Sequence, residues 1–579
     1  MKESVTWKIG GEAGFGIMSA GTMLSKAFSR IGYHVLTTNE YPSLIRGGLN
    51  IITTRLSSQY FESLNKEVNI VVALGKPLIE LHKDEFSEGA YIVFDPKDYE
   101  WKASDFPKPV VLIPVPLTDI VTQFKGPPVM RNTIAIGASV ALLGAPLDSF
   151  SEVIKDQFKG KKQAIIDGNI AIAKAGYDYI KEKFGKETAM NLTPATKIEP
   201  HLILNASEAV GLGAVKAGLK FAAIYPMTPI NALITFLADH AEKLGIVYKQ
   251  PEDEISGINM ALGASTMGVR SMVATSGGGF ALMVEAVALA GMTETPVVID
   301  IGMRVGPATG MPTWTEQGEL QFVIHSGHGE FARAILAPSD AAEAYEMTIE
   351  AFNIADQYQI PVFILTDKYM NESQWCAPLS LFKKEAVIDR GKVVKENELP
   401  ADGSFKRFRL DVADGVSPRS FPGMKNGVYY ANAYEHDEVG HVMDSSAGRI
   451  AMATKRMKKF DSMKKDVRPP TVYGDKDADL TFVSWGSSRG PVIDAMTILK
   501  GKGISSRLVH YTWMYPFPTA ETTQLLGNAK RIIGVEQNSM GQLAALIREN
   551  TGIEIKEKIL KFDGRPFFPE DIAEKVSGV

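Results

Sequence analysis

Four short segments between residues 225 and 313 hold the side chains best suited to chemistry. In Tyr225-Pro226-Met227-Thr228-Pro229, Thr228 fits a helix N-cap and Pro229 the first helical position. A hydroxyl there suits a carboxylate or phosphate; it is equally what a plain cap looks like. Ser276-Gly277-Gly278-Gly279-Phe280 sets three glycines before a helix, where backbone N–H groups can approach a bound group closely. A glycine turn also occurs with no ligand. Arg304, followed by VGPATGMPT, supplies a fixed positive charge that favours bidentate carboxylate or phosphate partners, although a surface arginine beside an acid reads the same way. Glu252-Asp253-Glu254 opens a helix whose Ile255, Ile258 and Leu262 form one apolar face. Acids in a first turn ordinarily complement the helix dipole, yet one carboxyl buried against a cleft can handle protons. Hydroxyl, arginine, glycine turn and carboxylate together describe a site for an anionic substrate.

The elements that must position these groups follow from periodicity. FAAIY, VRSMVAT, PVVIDIGM and PVFILTD are apolar runs of strand length separated by helical patterns, so they predict a parallel α/β sheet with ligands at its carboxyl edge. Upstream, VTWKIG, HVLTTN, NIITTRL, NIVVALG, YIVFD and VVLIP alternate with helical periodicity in the same way and predict another parallel α/β block. Downstream, LTFVSWG, SSRLVHY and RIIGVEQ predict a third. The expected organisation is residues 1–190, 198–390 and 471–579 as α/β domains, with 391–470 a charged, Gly/Asp-rich connector or partner surface ending in a basic run at Lys455, Arg456, Lys458 and Lys459.

A chain of 579 residues is long enough for roughly three to four domains. Hydrophobic content of 45% and charged content of 22% exclude a disordered or fibrous chain. Lys+Arg 62 against Asp+Glu 67 leaves no global positive field for nucleic acid or an anionic membrane. The lone Cys376 excludes an intrachain disulfide and an iron–sulfur cluster held by this chain alone. The window Phe221 to Ala238 is long enough to span a bilayer, but Pro226 and Pro229 divide it into a strand and a new helix. With no secretory leader read at the N-terminus, a cytoplasmic location is expected.

Gly10-Gly11-Glu12-Ala13-Gly14-Phe15-Gly16 follows a strand and opens a helix, but Ser19 replaces the last glycine of a dinucleotide fingerprint and Glu40 is a poor ribose partner. A nicotinamide-linked dehydrogenase is therefore the weaker enzyme reading. His325/His328 and His436/His441 have metal-compatible spacings with no third ligand in sequence, so no metal site is assigned to this chain. A non-catalytic scaffold that binds anionic metabolites through Thr228 and Arg304 is the alternative from another class.

Taken together, YPMTP, EDEISGINMALGAS, TSGGGF and RVGPATGMPTWTEQGEL resemble the alpha subunit of the thiamine-diphosphate-dependent 2-oxoacid:ferredoxin oxidoreductases. GGEAGFG and EYPSLIRGG resemble that family's Rossmann-like gamma domain, here fused ahead of alpha, and SWGSSRG with VEQNSMGQL resembles its transketolase-C-like domain. The resemblance implies a pyrimidine-binding α/β domain over 198–390. It also implies a separate beta subunit that supplies the diphosphate and Mg2+ site of thiamine diphosphate and the cysteines of a [4Fe-4S] cluster, in a heterodimer or dimer of heterodimers. Glu254, nine residues before Gly263, aligns with the glutamate that hydrogen-bonds the aminopyrimidine. A carboxyl there favours the imino tautomer, whose neighbouring nitrogen can remove the thiazolium proton. By the same resemblance Tyr225, Pro226, Ser276 and Gly277 contact the cofactor, Arg304 and Thr228 hold the 2-oxoacid, and Thr313 closes the site. The implied reaction converts a 2-oxoacid and coenzyme A to acyl-CoA, carbon dioxide and reduced ferredoxin, reversibly. 2-Oxoglutarate is the preferred substrate, with pyruvate or a broad 2-oxoacid range as the alternative. Arg46 and Arg489 are candidate phosphate contacts.

Overall fold

Short β-branched runs separated by amphipathic helices build three sheets in a computed structural model that describes residues 2–44, 47–185, 190–195 and 199–578. The chain divides into two units. One comprises Met1–Leu204, Ser373–Lys383 and Phe568–Val579, the other Asn205–Glu372 and Lys384–Phe567.

The first unit carries an eight-stranded sheet in the order Val110–Pro114, Phe86–Phe94, Val68–Ala73, Ser4–Glu12, Leu49–Ser57, His34–Glu40, Gln374–Pro378, His201–Leu204. Only the first four strands run parallel; from Ser4–Glu12 onward every pairing is antiparallel. The wholly parallel block expected from the alternation is thus corrected. Residues 41–48, which join two of these strands, are fewer than the dozen or so that a parallel crossover needs. Helices Arg131–Leu142 and Gln163–Lys183 cross where Gly137 faces the Ala173 carbonyl and Gly176 the Ile134 carbonyl, contacts that leave no room for a Cβ.

The second unit holds a seven-stranded sheet ordered Trp513–Tyr515, Ala334–Leu336, Pro361–Asp367, Val297–Met303, Ser271–Thr275, Phe221–Ala223, Val247–Lys249. All are parallel except Trp513–Tyr515. Val297–Met303 and Pro361–Asp367 are buried at every position, as befits strands covered on both faces. The same unit contains a five-stranded sheet, Thr471–Gly474, Ser506–Tyr511, Leu480–Trp485, Ile532–Glu536, Glu557–Leu560, antiparallel only at its first strand. No helix among the described residues is long and apolar enough to cross a membrane. The window that opens at Phe221 becomes the strand Phe221–Ala223 and the helix Asn231–Leu244.

The basic run near residue 455 is not the open surface its composition suggests. On helix Ser446–Met463, Lys455 and Lys459 stand one turn apart and both reach the buried Glu294 carboxylate, Lys459 at 2.7 Å. Arg456 pairs with Glu435 at 2.7 Å, and Lys458 alone of the four is exposed. Helical spacing turns three of these charges inward, two of them onto an acid that lies far away in sequence.

Candidate active site

Strands Val247–Lys249, Phe221–Ala223, Ser271–Thr275 and Val297–Met303 are consecutive parallel neighbours, so the segments that follow them emerge on one edge. The acid triplet lies after the first. Asp253 is the N-cap of helix Glu254–Thr266 and accepts from the Ser256 N–H at 2.8 Å. Glu252 is exposed and accepts from the Ser256 hydroxyl at 2.6 Å. With Asp253 as the cap, Glu254 is free to turn inward. It is 3% exposed, and its Oε1 has no hydrogen-bond partner.

The glycines lie inside helix Gly277–Thr293 rather than ahead of it. A Cβ at Gly279 would collide with Glu254 and the Thr275 hydroxyl, and one at Gly277 with the Glu319 carboxyl. Their function is therefore close approach of two carboxyls to the first helical turn. Ser276 is the N-cap but makes no side-chain cap; its hydroxyl points to Met227 Sδ at 2.6 Å and ties the YPMTP segment to the glycines.

Thr228 is not the N-cap expected from Thr-Pro. Helix Asn231–Leu244 starts after a turn at 228–230, with Ile230 as its cap and the Ile230 carbonyl taking the first helical bond. The Thr228 carbonyl instead accepts from Arg304 Nη1 at 2.8 Å. A cap residue must give its carbonyl to the helix, and here the guanidinium takes it. The Thr228 hydroxyl accepts only a long 3.4 Å contact from Asn231 Nδ2. Tyr225 is half-buried and Pro226 exposed.

Arg304 directly follows Val297–Met303 and is half-buried, with burial lowering its pKa and Glu319 opposing that shift. One N–H anchors it to Thr228, and it forms no ion pair with any described carboxylate, which leaves donors of its fork for another anion. Thr313 is buried with its hydroxyl unpartnered. Its loop is fixed by Val305 N–H to the Trp314 carbonyl at 3.2 Å and Met311 N–H to the Val305 carbonyl at 3.1 Å.

Two carboxyls with shifted pKa, the half-buried Glu319 and the buried Asp300, escape a reading by sequence. Burial pushes Glu319 up to about 8, with Glu316 adding to the rise and Arg304 and the Gly318 and Glu319 N–H groups opposing it. Asp300, inside Val297–Met303, is pushed up to about 7 by burial against the opposing Thr366 hydroxyl at 3.1 Å. Glu319 sits in the quoted TEQGEL string, but nothing in its spacing separates it from a solvated acid; a glycine at 277 is the one local hint. Of the remaining candidates, Arg489 is committed to Asp340 and to Glu343 at 2.7 Å, so it is not a free phosphate contact. Arg46 lies outside the described residues. His436 is buried against the Tyr434 carbonyl at 3.0 Å, and His441 lies 3.6 Å from Asp437.

Buried acid with an open oxygen, glycines without side chains and a half-buried arginine form a cradle for a flat, nitrogen-bearing ring beside an anion. The unpartnered Glu254 oxygen in particular fits a donor or protonatable nitrogen, as on an aminopyrimidine.

The chain matches known families over most of its length. Residues 212–455 match the family described as "Pyruvate flavodoxin/ferredoxin oxidoreductase, thiamine diP-bdg", residues 6–179 "Pyruvate ferredoxin/flavodoxin oxidoreductase", and residues 478–572 "Pyruvate:ferredoxin oxidoreductase core domain II". The fold is that of a thiamine-diphosphate-type oxidoreductase. The chain is 32% identical to the alpha subunit of 2-oxoacid:ferredoxin oxidoreductase 2 of Aeropyrum pernix, covering 99% of this chain and 97% of that one. It is also 32% identical to the 2-oxoglutarate synthase subunit KorA of Methanocaldococcus jannaschii over 65% of this chain and 99% of that one. A solved 2-oxoglutarate:ferredoxin oxidoreductase from Magnetococcus marinus, with 2-oxoglutarate, coenzyme A and succinyl-CoA bound, superposes with TM-score 0.92 at 31% identity over 100% of both chains. The protein belongs to the family of 2-oxoacid:ferredoxin oxidoreductase alpha subunits and is an oxidoreductase subunit.

Proposed function

We propose that this chain, with a separate beta subunit, catalyses the reversible, coenzyme A-dependent oxidative decarboxylation of a 2-oxoacid to acyl-CoA and carbon dioxide, with ferredoxin as electron acceptor. The observation that carries the reading is the buried Glu254 with an open oxygen against Gly279. 2-Oxoglutarate is the substrate we favour, supported by the full-length likeness to an enzyme solved with that acid; pyruvate or a broad range is the second reading.

When bound, thiamine diphosphate supplies a thiazolium carbon nucleophile able to attack a keto carbon. Glu254 would hold a hydrogen bond to the aminopyrimidine nitrogen and stabilise the tautomer that can accept a proton. Tyr225, Pro226, Ser276 and Gly277 would line the ring. Arg304, oriented by the Thr228 carbonyl, would bind the substrate carboxylate, the Thr228 hydroxyl would meet the keto oxygen, and Thr313 would help exclude water. We assign the [4Fe-4S] cluster to the beta subunit, because this chain has a single cysteine, Cys376, and by the family resemblance the diphosphate and Mg2+ site as well. The assembly is a heterodimer or a dimer of heterodimers in the cytoplasm. Residues 1–190 act as the gamma domain, 198–390 as the pyrimidine-binding domain, 391–470 as the connecting segment and 471–579 as the transketolase-C-like domain.

The test is anaerobic purification of the tagged chain with its native partners, followed by viologen reduction dependent on both a 2-oxoacid and coenzyme A. Reduction with 2-oxoglutarate ahead of pyruvate supports the reading. An intact complex holding thiamine diphosphate and cluster, yet inactive with every 2-oxoacid, moves the metabolite-binding scaffold to first place.

A further inference from the structure

Outside the roles given above, Glu319 is a half-buried acid whose Oε2 is fully buried. It ends the loop that begins at Arg304 and caps helix Leu320–Ile324. Its carboxyl packs against the Cα of Gly277, where any larger residue would collide, and its Oε2 is buried with no partner. Arg304 is close enough to act on it electrostatically, but the two form no direct ion pair. A carboxylate with a buried oxygen, within electrostatic range of a half-buried arginine, ordinarily pairs with it, since the paired state offsets the cost of desolvating both charges. The absence of that pair is the observation to explain.

We propose that Glu319 is a positioning residue that controls whether Arg304 is available to an anionic substrate: uncharged, it leaves the guanidinium free, and ionised, it competes with the substrate carboxylate. The inference rests on the reading of Arg304 as the carboxylate-binding residue. The charged and polar groups facing Glu319 are Arg304, Glu316 and the N–H groups of Gly318 and Glu319. On the side of helix Gly277–Thr293 it meets Gly277, which carries no side chain. Glu316 disfavours ionisation; Arg304 and the N–H groups favour it. At neutral pH burial keeps the proton on Glu319, so an arriving carboxylate finds an unclaimed arginine. A 2-oxoacid brings its own negative charge to that arginine, and Glu319 is the group best placed to refuse or share the position.

The experiment uses the assembled enzyme and compares Glu319→Gln with wild type in 2-oxoacid titrations across pH. The isosteric amide preserves the packing on Gly277 and cannot ionise. The E319Q-to-wild-type ratio of kcat/KM is expected to rise about tenfold between about pH 7 and pH 9, with the change in KM rather than kcat. A ratio constant across that range overturns the proposal. A parallel Arg304→Ala series separates the two levels of inference. If R304A leaves KM unchanged, the reading of Arg304 fails; if R304A raises KM while the E319Q ratio stays flat, only the role of Glu319 fails. In the R304A background, the additional Glu319→Gln change should no longer alter the pH profile.

Discussion

Two buried clusters in the second unit use carboxylates in opposite ways. Glu294 is wholly buried and answered by Lys455, by Lys459 at 2.7 Å and by the Arg407 guanidinium, which donates to its backbone carbonyl at 2.9 Å. Those three cations hold its carboxyl far below the ordinary range in spite of burial. Asp356 likewise receives Arg270 at 2.8 Å, Arg390 at 2.7 Å and Arg419 at 2.9 Å. At the carboxyl edge of the seven-stranded sheet, by contrast, Glu254 and Glu319 each keep a buried oxygen with no partner. Paired buried acids fasten residues 391–470 to the sheet domain. Acids left open mark where something else must supply the missing donor or proton.

That contrast can be broken at either end. The largest expected effect is on turnover: Glu254→Gln should lower kcat by about 10²- to 10⁴-fold, with assembly and cluster content unchanged by absorbance and size-exclusion chromatography. Activity near wild type would make Glu254 a structural acid. Glu294→Gln should instead act on the fold. It leaves two buried lysines without their counter-charge and should cost about 3–5 kcal/mol in denaturant unfolding, against a much smaller cost for E254Q. Next comes Arg304→Ala, expected to weaken 2-oxoacid binding by about 2–5 kcal/mol, read from KM. The finest test is of sign. Glu294 is held below its unfolded value, so its stabilisation is present above the ordinary glutamate pKa and is lost as acid titrates it. Glu319 is held above its unfolded value, so its contribution is complete below that value and disappears as pH rises through about 8. Unfolding titrations should therefore flatten the stability curve on opposite sides of the ordinary glutamate pKa, below it for E294Q and between it and about pH 8 for E319Q.

Much of this was legible in the chain. The strand runs at 221, 271, 297 and 361 are predominantly apolar, and their order along the chain places Thr228, Ser276 and Arg304 at one edge. Glu254 could be singled out from its two neighbours by resemblance; Asp253 caps the helix, Glu252 stays exposed, and Glu254 is the one that turns inward. What stayed hidden depends on distant partners. The last strands of the first sheet include Gln374–Pro378, supplied from roughly 170 residues beyond His201–Leu204, with which it pairs. Lys455 and Lys459 read as a solvated face because Glu294 lies 161 residues from the first of them. Glu319 looked like any loop acid, since its environment is set by Gly277 on another segment.

Strand Trp513–Tyr515, from the C-terminal part of the chain, closes the seven-stranded sheet by pairing antiparallel with Ala334–Leu336. A gene fragment ending before residue 471 would therefore expose a bare β edge of buried, apolar residues, a template for self-association. For expression and for evolutionary shuffling alike, the pyrimidine-type sheet and the C-terminal segment are a single heritable cassette.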